Sequence, residues 1–297
     1  MSDAELQTLL EVFKRSEPNP EATVEERRAE TDKLIAFLPI PDDIDFEQRE
    51  IAGVACDFVR APGASPEACV LYLHGGGYAI CSPRTHRRLA YDISAASGAT
   101  CVVPDYRLAP EHPFPAAVED AVAVYGQLLK EGIAPSRMAI AGDSAGGGLT
   151  VATLLSLRDA GQPLPAAGAC LSPWVDMEAT GGSMITKASV DPMVRLDGLR
   201  KMADWYLAGA NPRNPLASPI HADLAGLPPL LIQVGSDETL LDDARRLAER
   251  ARGQGVEVVY EEWDRMFHVW HIFAHMLSEG REAIARIGDF VATRTAA

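Results

Sequence analysis

The stretch Gly142-Asp143-Ser144-Ala145-Gly146 sets a serine between small residues, after the apolar run "MAIA" and ahead of the apolar-faced "GGGLTVATLLSL". A serine forced into a sharp strand-to-helix turn takes a strained backbone conformation, and the residues two before and two after it must be tiny to avoid collision. Such a turn leaves the hydroxyl exposed at a helix N-terminus, whose field favours developing negative charge. The plainer alternative is a helix N-cap serine in a glycine-rich turn. The strand–turn–helix context favours a nucleophile.

A serine hydroxyl needs a base. Of seven histidines, His74, His86 and His112 precede the serine, and His221 lies before the next apolar run. His268, His271 and His275 cluster in "WDRMFHVWHIFAH". His268 comes soonest after the last predicted strand and is expected to open the final helix, so it is the candidate base. His271 and His275 are spaced either as a metal pair or as ordinary core or surface residues. No carboxylate stands near them at ligand spacing, which favours the second reading. The base in turn needs a carboxylate to hold its tautomer. "GSDETLLDDA" offers Asp237, Glu238, Asp242 and Asp243. Asp237, two residues past a strand end, is the first choice and Asp242 the second. Asp242 and Asp243 also suit the first turn of a helix.

Attack on a carbonyl places negative charge on its oxygen, which preorganised N–H groups must meet. "LYLHGGG" ends a predicted strand in three glycines, which let backbone N–H groups turn inward with no Cβ in the way of a substrate. Gly76 and Gly77 are expected to donate, joined by the N–H of Ala145, with Gly75 making the turn. The stretch matches neither phosphate-loop pattern, G-x-x-x-x-G-K-[ST] or G-x-G-x-x-G.

Apolar runs at 69–73, 99–104, 137–142, 167–172, 229–235 and 256–261 alternate with amphipathic stretches, after a first strand-like segment at 49–59. This is the pattern of a mostly parallel sheet covered by helices on both faces. Two helices, 4–15 and 23–38, precede it. The interval after "CLSPW" is too long for a simple crossover. It reads as an insertion over the sheet edge, packed against the N-terminal helices.

The 297 residues are enough for one large α/β domain, and 47% hydrophobic with 23% charged residues is ordinary for a soluble chain. A net charge of −15, with no basic run, argues against nucleic acid or an anionic membrane surface as partner. Five scattered cysteines without CxxC spacing, and an N-terminus lacking a signal-peptide pattern, point to a cytoplasmic protein.

Together "HGGGYAICSPRTHR", "VVPDYRLAPEHPFPAAVEDA", "GDSAGGGL", "GSDETLLDDA" and "FHVWH" resemble the hormone-sensitive-lipase family of α/β-hydrolases, the bacterial family IV esterases. The ending "EEWDRMFHVWHIF" is similar, more narrowly, to epsilon-lactone hydrolase-type esterases. The resemblance implies an α/β-hydrolase fold, with a mostly parallel central sheet flanked by helices and a helical cap. Residues 1–45 and 175–220 would form the cap, and 46–174 with 221–297 the catalytic core. It also implies the triad Ser144, Asp237 and His268, although the family's acid turn usually reads D-P-L and here it is Asp237-Glu238-Thr239-Leu240. Arg107 and Glu111 are read either as braces of the glycine loop or as a structural ion pair. Met193, Trp205, Tyr206 and Leu207 are candidate pocket walls, or else pack the cap to the core.

The expected activity is a cofactor-free, metal-free serine carboxylesterase acting through an acyl-enzyme on short- to medium-chain esters. Lactone or amide cleavage by the same triad is the alternative, and a homodimer is left open. Two further rivals are a non-catalytic ligand-binding member of the fold and a metal-dependent hydrolase using His271 and His275.

Overall fold

In the computed structural model, which describes residues 3–14, 22–35 and 38–296, eight strands form one sheet among the described residues. They are β1 (Asp45–Ile51), β2 (Val54–Arg60), β3 (Ser65–Leu73), β4 (Ala99–Pro104), β5 (Met138–Asp143), β6 (Ala167–Leu171), β7 (Leu230–Gly235) and β8 (Val258–Trp263). Their order across the sheet is β1-β2-β4-β3-β5-β6-β7-β8. From β4 to β8 every neighbouring pair is parallel, while β2 runs antiparallel to both β1 and β4. The six apolar runs of the sequence thus become β3 to β8. The segment expected as one strand at 49–59 is a hairpin instead. Ala52 and Gly53 both take positive φ (52° and 81°), the conformation of a two-residue turn that matches strand twist.

The helices are α1 (Asp3–Lys14), α2 (Val24–Ile35), α3 (Pro83–Ser97), α4 (Ala116–Lys130), α5 (Ala145–Asp159), α6 (Ser183–Thr186), α7 (Leu196–Leu207), α8 (Leu241–Gly253) and α9 (Ser278–Thr295). Position 15, expected to end the first helix, and 36–37 in the second lie outside the described residues. None of the helices is long and apolar enough, among the described residues, to cross a membrane.

Strand alternation divides the core. Leu71 and Leu73 of β3 face Val124, Leu149 and Leu247 on α4, α5 and α8, whereas Val70 and Tyr72 face Ile93 and Ile287 on α3 and α9. Each such buried side chain contributes roughly 1.5–3 kcal/mol, which holds both helical layers to the sheet. Cys69, Cys101 and Cys170 are buried and unpaired, serving as small core residues.

Parallel strands bring their following loops to one edge, the C-terminal edge. Two further pieces cover that edge. Leu6 and Leu9 of α1 pack with Met266, Phe267, Trp270 and Phe273, and Phe13 meets the rings of Phe267 and Phe273 edge-on at 5.3 and 5.5 Å. The segment between β6 and β7, carrying α6 and α7, is fastened by carboxylates. Asp243 accepts the N–H groups of Val175 and Asp176 (3.0 and 3.1 Å), and Asp242 accepts that of Ser183 (2.8 Å). Asp191 accepts the N–H of Thr239 (2.8 Å). Lys201 Nζ on α7 donates to the Ala22 carbonyl (3.2 Å), joining this segment to the approach of α2.

Candidate active site

Ser144 stands between β5 and α5 with φ 53° and ψ −119°, the strained conformation expected of the turn. A Cβ on Gly146 would collide with the Leu73 carbonyl oxygen, and one on Gly142 with the Gly146 carbonyl oxygen. Those positions therefore take glycine for lack of space. The turn is pinned by its own backbone: Ser144 N–H donates to Leu171 O (2.8 Å), and its carbonyl accepts from Trp174 N–H (2.9 Å).

His268 sits in the loop after β8, ahead of a 3-10 turn at Trp270–Phe273; the final helix begins only at Ser278, ten residues later than the sequence suggested. Its Nδ1 lies 3.0 Å from Oε2 of Glu238, not from Asp237. Glu238 is fully buried, and its other oxygen accepts both the Ser172 hydroxyl (2.6 Å) and the Gly235 N–H (2.6 Å). A carboxylate only accepts, so Nδ1 carries the proton and Nε2 is left free to act as a base. Burial pulls the His268 pKa down, but the hydrogen bond and charge of Glu238, with Asp191 and Asp143 beyond, outweigh it and raise the pKa overall.

Asp237 corrects the expected assignment. Its N–H donates to Met266 O (3.0 Å), and its partly exposed carboxylate faces Lys187 Nζ at 3.4 Å. Adjacent residues in this turn point in different directions, and Glu238 is the one turned inward. A signal was present: Leu240 follows Glu238 by two residues, as leucine follows the acid in D-P-L. Asp242, the second choice, is spent on Ser183. Ser172, which no sequence feature singled out, joins the two halves of the site. It donates to Glu238 and accepts the Val269 N–H at 3.1 Å.

Ser144 and His268 line one cavity of about 900 Å³, together with Gly76 and Gly77. Gly76 and Gly77 take φ of 104° and 60°, so they, rather than Gly75, make the turn. Gly75 is small for another reason: its N–H donates to Asp143 Oδ1 (3.1 Å), and a Cβ there would collide with that carboxylate. Ala145 opens α5, where an N–H has no intrahelical acceptor.

Asp143 lies beneath the loop, buried, with Tyr72 Oη donating to it at 2.8 Å and His86 Nε2 3.4 Å away. Burial would raise its pKa, but His86 and the Tyr72 hydroxyl together lower it. His74 is held uncharged by burial and by nearby His86, its pKa lowered to about 3.

Of the expected pocket residues, Met193 lines the cavity. Trp205, Tyr206 and Leu207 do not. Tyr206 is buried and stacked on Tyr78 (3.8 Å between ring centroids), and Trp205 and Leu207 pack against the core. The cavity instead sees the preceding turn of α7, through Leu199, Lys201 and Met202. The phase of an amphipathic helix is set by what it packs against.

Arg107 and Glu111 are not paired with each other. Arg107 holds Asp120 and Glu119, whereas Glu111 holds Arg28. His271 Nε2 meets Gln233 Oε1 (2.9 Å), and burial lowers its pKa to about 3, so its ring is engaged in the core. Asp176, Glu178 and His221 cluster elsewhere, but the oxygens of Asp176 already accept from Glu178 N–H, Thr180 and Arg246.

Comparison with known proteins bears on the family and the fold. The alpha/beta hydrolase fold family matches residues 70–272. The chain is 46% identical over 298 residues to an acetyl-hydrolase of Streptomyces hygroscopicus, covering 99% of this chain and 98% of that one. A crystal structure of an esterase from the bacterial hormone-sensitive lipase family superposes with a TM-score of 0.97 at 50% identity, covering 100% of both chains. A crystal of EstE5 soaked with p-nitrophenyl butyrate gives 0.96 at 48%, again covering 100% of both.

Proposed function

The chain belongs to the hormone-sensitive-lipase family of bacterial esterases within the α/β-hydrolases and is a carboxylic ester hydrolase; on that premise we propose that Ser144 is its nucleophile, His268 its base and Glu238 the carboxylate that orients the base. The described residues of 1–45, together with 175–220, are taken as its cap.

In this reading Ser144 Oγ attacks the ester carbonyl while His268 Nε2 takes its proton. The carbonyl oxygen becomes an oxyanion and is met by the N–H groups of Gly76, Gly77 and Ala145. Removing one such donor typically costs about 2.7–4 kcal/mol of transition-state stabilisation. Collapse of the tetrahedral species breaks the carbon–oxygen bond to the alcohol, which leaves with the proton from His268. Water, deprotonated by His268, then attacks the acyl-serine; the acid departs and Ser144 recovers its proton.

The observation that carries this reading is the Nδ1 contact of His268 with Glu238 at 3.0 Å, made on the cavity that Ser144 also lines. A cavity of about 900 Å³ walled by Ile80, Met193, Val194, Leu199 and Met202 suits short to medium acyl chains. The acetyl-hydrolase relative and the p-nitrophenyl butyrate used on the EstE5 crystal support the same range.

The test is a panel of p-nitrophenyl esters of rising chain length, with small lactones as a second arm, run on wild type and Ser144→Ala. The variant should keep its fold by circular dichroism and lose at least about 10³-fold in kcat. Near wild-type turnover in the variant would refute the assignment.

A further inference from the structure

If Gly76, Gly77 and Ala145 bind the oxyanion, the aim of the glycine turn matters to the chemistry, and one distant guanidinium holds that turn from outside. Arg28, on α2, donates through Nε to the Ala79 carbonyl (2.8 Å) and through Nη2 to the Ala109 carbonyl (3.0 Å). The same group grips Glu111 with both terminal nitrogens, at 2.7 and 2.8 Å. Ala79 belongs to the glycine turn itself, since its N–H and that of Ile80 donate to Gly76 O at 3.1 and 2.9 Å. Ala109 stands across from it and donates to Tyr78 O at 2.8 Å. Arg28 therefore ties together the two chain segments that flank the end of the turn.

Seven of the twelve residues of helix α2 are charged, and among its described residues only Val24 is buried. The same helix also supplies Arg27 and Thr31 to the cavity wall. On the other side of the turn, Met202 of α7 fills the space that a side chain on Gly77 would need.

We propose that Arg28 is a positioning residue that couples the seating of α2 over the cavity to the aim of the Gly76 and Gly77 N–H groups. This role rests on the oxyanion assignment above. The half-exposed pair with Glu111 contributes little binding of its own. Its work is to hold the planar fork so that Nε and Nη2 reach the two carbonyls, a geometry that lysine, with one ammonium, does not reproduce.

The experiment measures kcat and KM for p-nitrophenyl acetate and butyrate, and the rate of inactivation by diethyl p-nitrophenyl phosphate, in wild type, Arg28→Lys and Arg28→Ala. Misplacing a reacting group by about 1 Å can cost on the order of 100-fold. Arg28→Ala should lose roughly 10- to 100-fold in kcat, with KM moving less than about 3-fold and inactivation slowing in parallel. Methylguanidinium added to the alanine variant should restore part of the loss. If Arg28→Ala does not fold, Arg28→Lys decides: a wild-type melting temperature with kcat lowered at least about 5-fold supports the role. Wild-type kcat in a folded variant, with only KM or melting temperature changed, overturns it and leaves Arg28 as an anchor. Ser144→Ala in the same assay separates the two questions, because turnover surviving there refutes the nucleophile whatever Arg28 does.

Discussion

Glu238 and Asp237 are chemically near-identical neighbours, and the difference between them is direction. Glu238 has one oxygen occupied by Ser172 and Gly235 and presents the other to His268, whereas Asp237 looks outward to Lys187. Glu238→Gln keeps the shape but removes the charge that holds Nδ1 protonated, and a comparable change in a known triad costs about 10⁴-fold in kcat. A loss of that order is expected here, while Asp237→Asn should stay within about 3-fold because its contact is half-exposed. The pH profile gives an independent reading. Glu238 raises the pKa of His268, so its removal should move the acidic limb of kcat/KM to lower pH. An acidic limb that stays put, or a larger loss in Asp237→Asn, would return the role to Asp237.

Among the elements, α7 has two faces that do different jobs. Met202 looks into the cavity above Gly77, and Tyr206, one turn on, is buried against Tyr78. Met202→Ala should enlarge the cavity and raise kcat/KM for decanoate relative to butyrate by about 3- to 10-fold, a discrimination of the size expected for a few methylenes. Tyr206→Ala should instead cost about 3–5 kcal/mol in urea unfolding and leave the chain-length ratio alone. Equal chain-length profiles in the two variants would mean that α7 does not wall the substrate. The faces could not be separated from the sequence: "LRKMADWYLAG" is amphipathic, but which residues meet the core depends on the Tyr78 ring it lands on.

Over the whole molecule, the segment between β6 and β7 is fastened to the sheet edge by buried carboxylates, and one of them makes stability depend on pH. Asp243 is pushed up to about 8 by burial and then by nearby Asp176, against the pull of Arg246 and two N–H groups. The folded state therefore holds a proton that an unfolded aspartate has lost. The stabilisation is complete below about pH 4 and fades as pH rises toward 8. Asp243→Asn should gain melting temperature over wild type progressively across that range and level off above it. A difference independent of pH would show that Asp243 is ionised in the fold. The strand–helix alternation, the serine turn and the glycine loop were all readable in the sequence, because each depends on residues adjacent in the chain: apolar runs that must be buried on two faces, small residues flanking a strained serine, backbone N–H groups left uncovered. The β1–β2 hairpin was missed because Ala52-Gly53 is a weak turn signal. Only the tertiary structure decided which of two neighbouring acids meets His268, which turn of α7 walls the cavity, and that Arg28 grips the glycine loop. Those outcomes depend on where side chains point once segments far apart in the chain press against one another, and apart from the leucine two residues after Glu238 no local pattern encodes that direction.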